Sequence, residues 1–275
     1  MRIAYSTYAL QKVDPFEAVE RVKAIGYDGL ELNCGADWAT APDRLGEDER
    51  KRMVEAYREA GFPPPVMMNL IHICAYDEDV DQKLSLLEAT CRLARDLCWV
   101  DQPSVVTTTL GKQTGTWEEA RETIGEKVRP YADLAADHNI LLAVEPHVGQ
   151  EMDTPEKARW LIETVDHPNL RLNFDYSHFL MLGIDLQTSI DLNAEYSVHT
   201  HIKDGRMTDG KVQFALPGDD QLDLVDYLTR VRASVLDVPI TVEVSAQIWK
   251  RDDYDPWETA THSFKNLDQA RKSLG

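Results

Sequence analysis

Four short apolar segments each end on a residue that a buried strand should not carry. They run from Leu141 to Glu145, from Leu172 to Asp175, from Val198 to His201 and from Ile240 to Glu243. Desolvating an ionisable side chain is costly unless it is paired or binds a metal. Alternate residues of a strand face the same side, so Glu145 shares a side with Ala143, Asp175 with Asn173, His201 with His199 and Glu243 with Thr241. If each set faces a common axis, three carboxylates and one imidazole meet at one point. Converging carboxylates repel and cannot all stay ionised. A divalent cation resolves the conflict, because its charge offsets theirs and its ligands bind deprotonated. Three oxygen donors and one nitrogen suit Mn²⁺, Mg²⁺ or Co²⁺; Zn²⁺ is also compatible, and Mn²⁺ is the first expectation. A single charged strand end usually means a salt bridge or a helix cap. The metal reading rests on four in successive strands.

The surrounding pattern predicts what positions them. Eight strands are expected at Ile3–Ser6, Gly29–Asn33, Val66–Ile71, Ser104–Thr108, Leu141–Glu145, Leu170–Asp175, Ser197–Ile202 and Ile240–Val244. Helical periodicity falls between them at Pro15–Ile25, Asp48–Ala60, Asp79–Leu97, Trp117–His138, Pro155–Val165, Asp185–Leu192, Gln221–Arg232 and Pro256–Ser273. Asp14-Pro15, Thr154-Pro155 and Asp255-Pro256 each put a capping side chain before a proline at the first helical position. Gly26 and Gly61 stand where a helix end needs a left-handed residue. The strands are nearly continuous apolar runs, as strands buried on both faces are. Eight βα units at about 34 residues each predict an α/β fold, a single-domain (β/α)8 TIM barrel over residues 1–275. In that fold the C-terminal strand ends form the catalytic face. An open doubly wound sheet is weakened by the lack of a GxGxxG turn after the first strand.

Charge and composition narrow the partners. The chain has 275 residues, with 29 Lys and Arg against 48 Asp and Glu, a net charge of −19. That disfavours nucleic acid and anionic membranes as partners. The 43% hydrophobic content suffices for a core, and no apolar run is long enough to span a bilayer. The N-terminus reads as a first strand, not a signal peptide. Four cysteines without a CxxC pair, Cys34, Cys74, Cys91 and Cys98, are expected to be reduced, with Cys91 and Cys98 facing a helix-packing surface. A cytoplasmic location is the corresponding expectation.

At these residues the sequence resembles the xylose-isomerase-like (β/α)8 superfamily of sugar isomerases and epimerases. The resemblance covers essentially the whole chain. Its most specific pieces are Val144-Glu145-Pro146, Phe174-Asp175-Tyr176-Ser177-His178, His199-Thr200-His201-Ile202-Lys203-Asp204 and Thr241-Val242-Glu243. Pro217-Gly218 followed by Leu222-Asp223-Leu224 resembles the glycine-bearing turn before the seventh helix of that group. The resemblance implies that Glu145, Asp175, His201 and Glu243 hold one divalent metal. It fits ketose 3-epimerases of the tagatose and psicose type best. It then implies that Glu145 and Glu243 also exchange the substrate proton, through a metal-stabilised ene-diolate. It further implies substrate contacts from His178, Glu151 and Arg206, the last one residue earlier than the family pattern. A lyase on the same site, of the inosose or 3-dehydroshikimate dehydratase type or acting on 3-keto sugars, is the alternative. Endonuclease IV shares the fold, but Lys211–Ala215 lacks the Asp and His of a multi-zinc centre. The expected partner is a small sugar or polyol-derived substrate, with homo-oligomerisation left open.

Other residues carry two readings each. His72, at the end of the third expected strand, reads equally as substrate-facing or structural. His147 shares a side with Glu145 by alternation, or already lies in the loop. His199 is expected one layer below His201, in a supporting role. Glu31 is a further buried charge expected to support the site. Asp204 reads as an orienting group or a cap. Trp38, Trp249 and Trp257 are expected near loops on the catalytic side, as sugar-stacking walls or as packing. Lys203, Arg206, Lys250 and Arg251 read as anion contacts or, more simply, as solvated counter-charges.

Overall fold

The computed structural model describes residues 1–75, 79–113 and 115–275. Among these, eight parallel strands close a barrel: β1 (Ile3–Ser6), β2 (Gly29–Asn33), β3 (Met67–Met68), β4 (Ser104–Thr109), β5 (Ile140–Glu145), β6 (Leu170–Asp175), β7 (Ser197–Ile202) and β10 (Ile240–Val242). β10 pairs with both β7 and β1, which completes the cylinder. A separate two-stranded sheet, β8 (Asp204–Thr208) and β9 (Lys211–Ala215), leaves the rim directly after β7.

Helices surround the barrel: α1 (Pro15–Ile25), α2 (Glu47–Ala60), α3 (Val80–Asp96), α4 (Trp117–Asp137), α5 (Pro155–Val165), α6 (Tyr176–Met181), α7 (Leu186–Asn193), α8 (Leu224–Ala233), α9 (Ala246–Trp249) and α10 (Pro256–Ser273). Their starts have the expected local cause. The Asp14 carboxylate accepts from the N–H groups of Phe16 and Glu17 at 2.9 and 3.1 Å, ahead of Pro15. Thr154 and Asp255 cap α5 and α10 in the same way. Gly26 and Gly61 end α1 and α2 at φ +120° and +69°. No helix among the described residues is long and apolar enough to cross a membrane.

Three differences from the sequence pattern bear on the site. The third strand shrinks from Val66–Ile71 to Met67–Met68. His72 therefore lies in the loop beyond it, at φ +55°. The hairpin β8–β9 was not expected, although its signal is present. Asp209-Gly210 forms a two-residue turn with φ +50° and +73°, the left-handed pair a tight hairpin requires. The last strand stops at Val242, so Glu243 caps its end; its N–H still reaches the Ile202 carbonyl at 3.3 Å. All four cysteines are free thiols, and Cys91 is buried on α3. Cys98 lies past the end of α3, half-exposed, with its Sγ 3.4 Å from the Val100 carbonyl rather than in a helix-packing face.

Candidate active site

Strand register brings the acidic tips level. Thr109 pairs with Glu145, Asp175 with His201, and His201 with Thr241. A register shift between Leu172 and Asn173 sets Asp175 opposite His201, the second histidine of β7. The intervening Val144, Phe174, Ile202 and Val242 are buried in the hydrophobic core. One ligand atom from each of Glu145, Asp175, His201 and Glu243 lies within 4.8 Å of the other three. None of these residues is more than 6% exposed.

The polar contacts around the cluster form one network. His201 Nδ1 is 2.8 Å from Glu145 and 3.4 Å from Glu243. The Asn173 amide donates to Glu145 at 2.6 Å and lies 2.9 Å from His201 Nδ1. His178 Nε2 lies 2.9 Å from Glu145 and 3.5 Å from Asp175. Beneath the cluster, Glu31 approaches His201 Nε2 at 3.0 Å and His199 Nε2 at 2.8 Å. Lys203 is 4% exposed, and its ammonium bonds both Asp175 and Glu243. Reading Lys203 as a solvated counter-charge is therefore wrong: two residues past His201, it keeps to the same inward side.

These charges divide the carboxylates. Burial pushes Glu145 upward, but Lys203, His178 and His201 outweigh it and hold its pKa well below the usual range. The same balance, with Lys203 leading the opposing charges, lowers Asp175. Burial prevails at Glu243, helped by Glu145 and Asp175, and its pKa is raised. Burial alone would lower His201; the charges of Glu31 and Glu243 and the bonds to Glu145 and Glu31 instead hold it well above its ordinary value. His147 lies against His178 with the rings tilted by 38° and their centres 3.9 Å apart, and burial with the charge of His178 pulls its pKa to about 3.

The donor set fits a divalent cation. It offers three carboxylates and an imidazole whose Nδ1 faces Glu145 and Glu243 while Nε2 is taken by Glu31. That division is common to metal-bound histidines. A cation replaces the charge that the ammonium of Lys203 and the imidazole proton supply to these carboxylates in its absence.

The other expected contacts fare unevenly. His72 sits at the rim, its Nδ1 2.7 Å from the Thr109 hydroxyl, level with Glu145. Glu151 accepts from the Gln113 N–H at 2.6 Å, tying two rim loops together. Arg206 does not reach the cluster in this structure. It projects from β8 with over half its side chain exposed, and its guanidinium bonds Asp220 at 2.7 Å. The hairpin carries it outward. Trp38 and Trp249 form an aromatic group with Tyr8 on the catalytic rim, ring centres 5.4–6.0 Å apart. Burial and the nearby Glu243 charge push the Tyr8 pKa to about 12. Trp257 instead lies under the Arg21 guanidinium, 4.8 Å away. A cavity of about 550 Å³ opens beside the aromatic group, between Leu10–Val13 and Trp249–Asp252.

Asp204 proves to be a loop anchor. Its fully buried carboxylate accepts from the N–H groups of Gly205, Gly218, Asp220, Gln221 and Leu222 at 2.7–3.2 Å. It holds the Pro217-Gly218 turn ahead of α8. Asp204→Ala orphans these donors and is expected to cost about 3 kcal/mol. That lowers the melting temperature by roughly 6–12 °C. Unchanged thermal unfolding would refute the anchor.

With the geometry in place, comparison with known proteins settles the lineage. The model of the xylose isomerase-like TIM barrel family matches residues 19–269. The chain belongs to that family. A curated relative, 3-dehydroshikimate dehydratase of Bacillus anthracis, is 24% identical over 182 residues, 65% of this chain and 62% of the relative's length. The crystal structure of the probable 3-DHS dehydratase involved in petrobactin synthesis in the same organism superposes with TM-score 0.80 at 17% identity, covering 98% of this chain and 99% of that one. The D-psicose 3-epimerase of Clostridium cellulolyticum H10 superposes with TM-score 0.77 at 16% identity, covering 100% and 99%. The same barrel is thus found in an epimerase and in a dehydratase.

Proposed function

We propose that this protein is a divalent-metal-dependent isomerase or epimerase, most simply a ketose 3-epimerase, that moves a proton at the carbon beside a substrate carbonyl. The observation that carries the reading is the convergence of Glu145, Asp175, His201 and Glu243, all buried, within 4.8 Å. These four residues would hold one cation, with Mn²⁺ the first expectation from the donor set. When bound, the cation offsets the carboxylates and polarises the carbonyl.

The two glutamates divide the proton work. Glu243 removes the proton as general base. Glu145, 2.9 Å from His178 Nε2, relays a proton from that imidazole to the opposite face of the substrate, which inverts the centre. His72 and Glu151 lie at the rim for hydroxyl contacts, and Tyr8, Trp38 and Trp249 offer an aromatic wall for the unreactive part of the substrate.

Dehydration is the second reading, favoured by one specific feature. Lys203 places a buried ammonium against Glu243, where its charge can stabilise a departing hydroxyl. The relative that shares 24% identity is a dehydratase, which supports it too. One experiment separates the two. The protein with added Mn²⁺ is incubated in deuterated buffer with D-fructose, D-tagatose, D-psicose and 3-dehydroshikimate. Deuterium entering a keto sugar next to its carbonyl, read by NMR, is the expected result. An ultraviolet-absorbing unsaturated product would move the assignment to a lyase. No exchange and no product with any of them would sink proton abstraction for these substrates.

A further inference from the structure

We infer that Glu31 is a positioning residue: wedged between His201 and His199, it turns the His201 imidazole so that Nδ1 faces the acidic cluster. The inference rests on the metal reading above. Glu31 is 170 residues from His201 in the chain and on the first half of the barrel, yet both its carboxylate oxygens lie 3.0–3.1 Å from His201 Nε2. The same carboxylate lies 2.8 Å from His199 Nε2, and His199 stands edge-on to His201 with ring centres 5.1 Å apart. Glu31 is 2% exposed, so it has no solvent alternative to these two imidazoles. An imidazole can present either nitrogen, and a ring flipped about its Cβ–Cγ bond would carry Nδ1 away from Glu145 and Glu243. A carboxylate that accepts from Nε2 opposes that flip and keeps the hydrogen on Nε2, leaving the Nδ1 lone pair for a cation. His199 stands against Glu31 from the layer below, within 2.8 Å.

The alternative for the same three residues is a second metal site, since Glu31, His199 and His201 also bring ligand atoms within 4.8 Å of one another. The test distinguishes them. Mn²⁺ is titrated calorimetrically into chelator-treated wild type, Glu31→Gln and Glu31→Leu. Glu31→Gln keeps the size and one acceptor oxygen; Glu31→Leu keeps neither charge nor acceptor. Wild type is expected to bind one ion per chain, with affinity down about tenfold in Glu31→Gln and about 100-fold in Glu31→Leu. Proton NMR of the Zn²⁺-loaded protein gives a readout that simple destabilisation would not move. The His201 Nε2–H resonance, shifted downfield by a carboxylate acceptor, should move upfield in Glu31→Gln. Wild-type affinity and an unmoved resonance in Glu31→Gln would overturn the inference, even if Glu31→Leu failed to fold. Two ions per wild-type chain, the second lost in Glu31→Gln, would overturn it by making Glu31 a ligand. The proposed reaction is judged separately. Glu31-dependent metal binding without proton exchange leaves Glu31 in its role and removes the epimerase, whereas exchange with Glu31-independent binding does the reverse.

Discussion

Glu243→Gln at saturating Mn²⁺ is expected to lower the rate of substrate proton exchange by about 10²–10⁴-fold. The side chain keeps its size and an oxygen toward the cluster, so what it loses is basicity. In the metal-free protein burial raises Glu243, and the negative charges of Glu145 and Asp175 add to the push. Glu145 lies in the same cluster yet is driven the other way, because Lys203, His178 and His201 surround it. Glu145→Gln should also impair exchange, and with it the His178 contact at 2.9 Å. Measuring each variant across a Mn²⁺ series separates lost affinity from lost chemistry. If Glu243→Gln regains the wild-type rate once metal is saturating, Glu243 is a ligand only and the base lies elsewhere.

Lys203→Met should destabilise the metal-free protein strongly. Its ammonium joins Asp175 and Glu243 in a region where none of the three is more than 6% exposed. Removing one partner of a buried ion pair leaves uncompensated charge, at about 3–5 kcal/mol. For a chain of this size that is a fall in melting temperature of about 10 °C or more. Mn²⁺ should then recover more stability in Lys203→Met than in wild type, because the added cation supplies the charge that the lysine no longer does. Differential scanning calorimetry with and without Mn²⁺ reads both numbers. Equal melting temperatures in the absence of metal would refute the counter-charge role of Lys203.

Most of the site was legible because parallel strands are intolerant of charge. Glu145, Asp175 and His201 stand at the ends of runs otherwise apolar, where a buried charge needs partners of opposite sign. The alternation rule placed Asn173 and His199 on the inward side, though not what they touch. The same rule, carried two residues beyond His201, would have placed Lys203 inside; taking it for a surface lysine followed the average behaviour of lysines. Arg206 lies away from the cluster for a related reason. The chain does not enter a helix after β7 but turns out through a hairpin, and the Asp209-Gly210 signal for that turn was in the sequence. His72 was placed on a strand that ends four residues earlier, since the apolar run from Val66 to Ile71 does not reveal where hydrogen-bonding stops.

The sequence alone determined the barrel, its helix caps and the four-residue cluster, because period, capping chemistry and burial cost are local properties that a chain carries in its own order. Only the tertiary structure decided the partners: Glu31 for His201 and His199, Lys203 for Asp175 and Glu243, Asp204 for the turn before α8. Those contacts join residues up to 170 positions apart across the cylinder. They depend on strand register and on which side chain reaches a shared charge first, and neither is written in the spacing of residues along one strand.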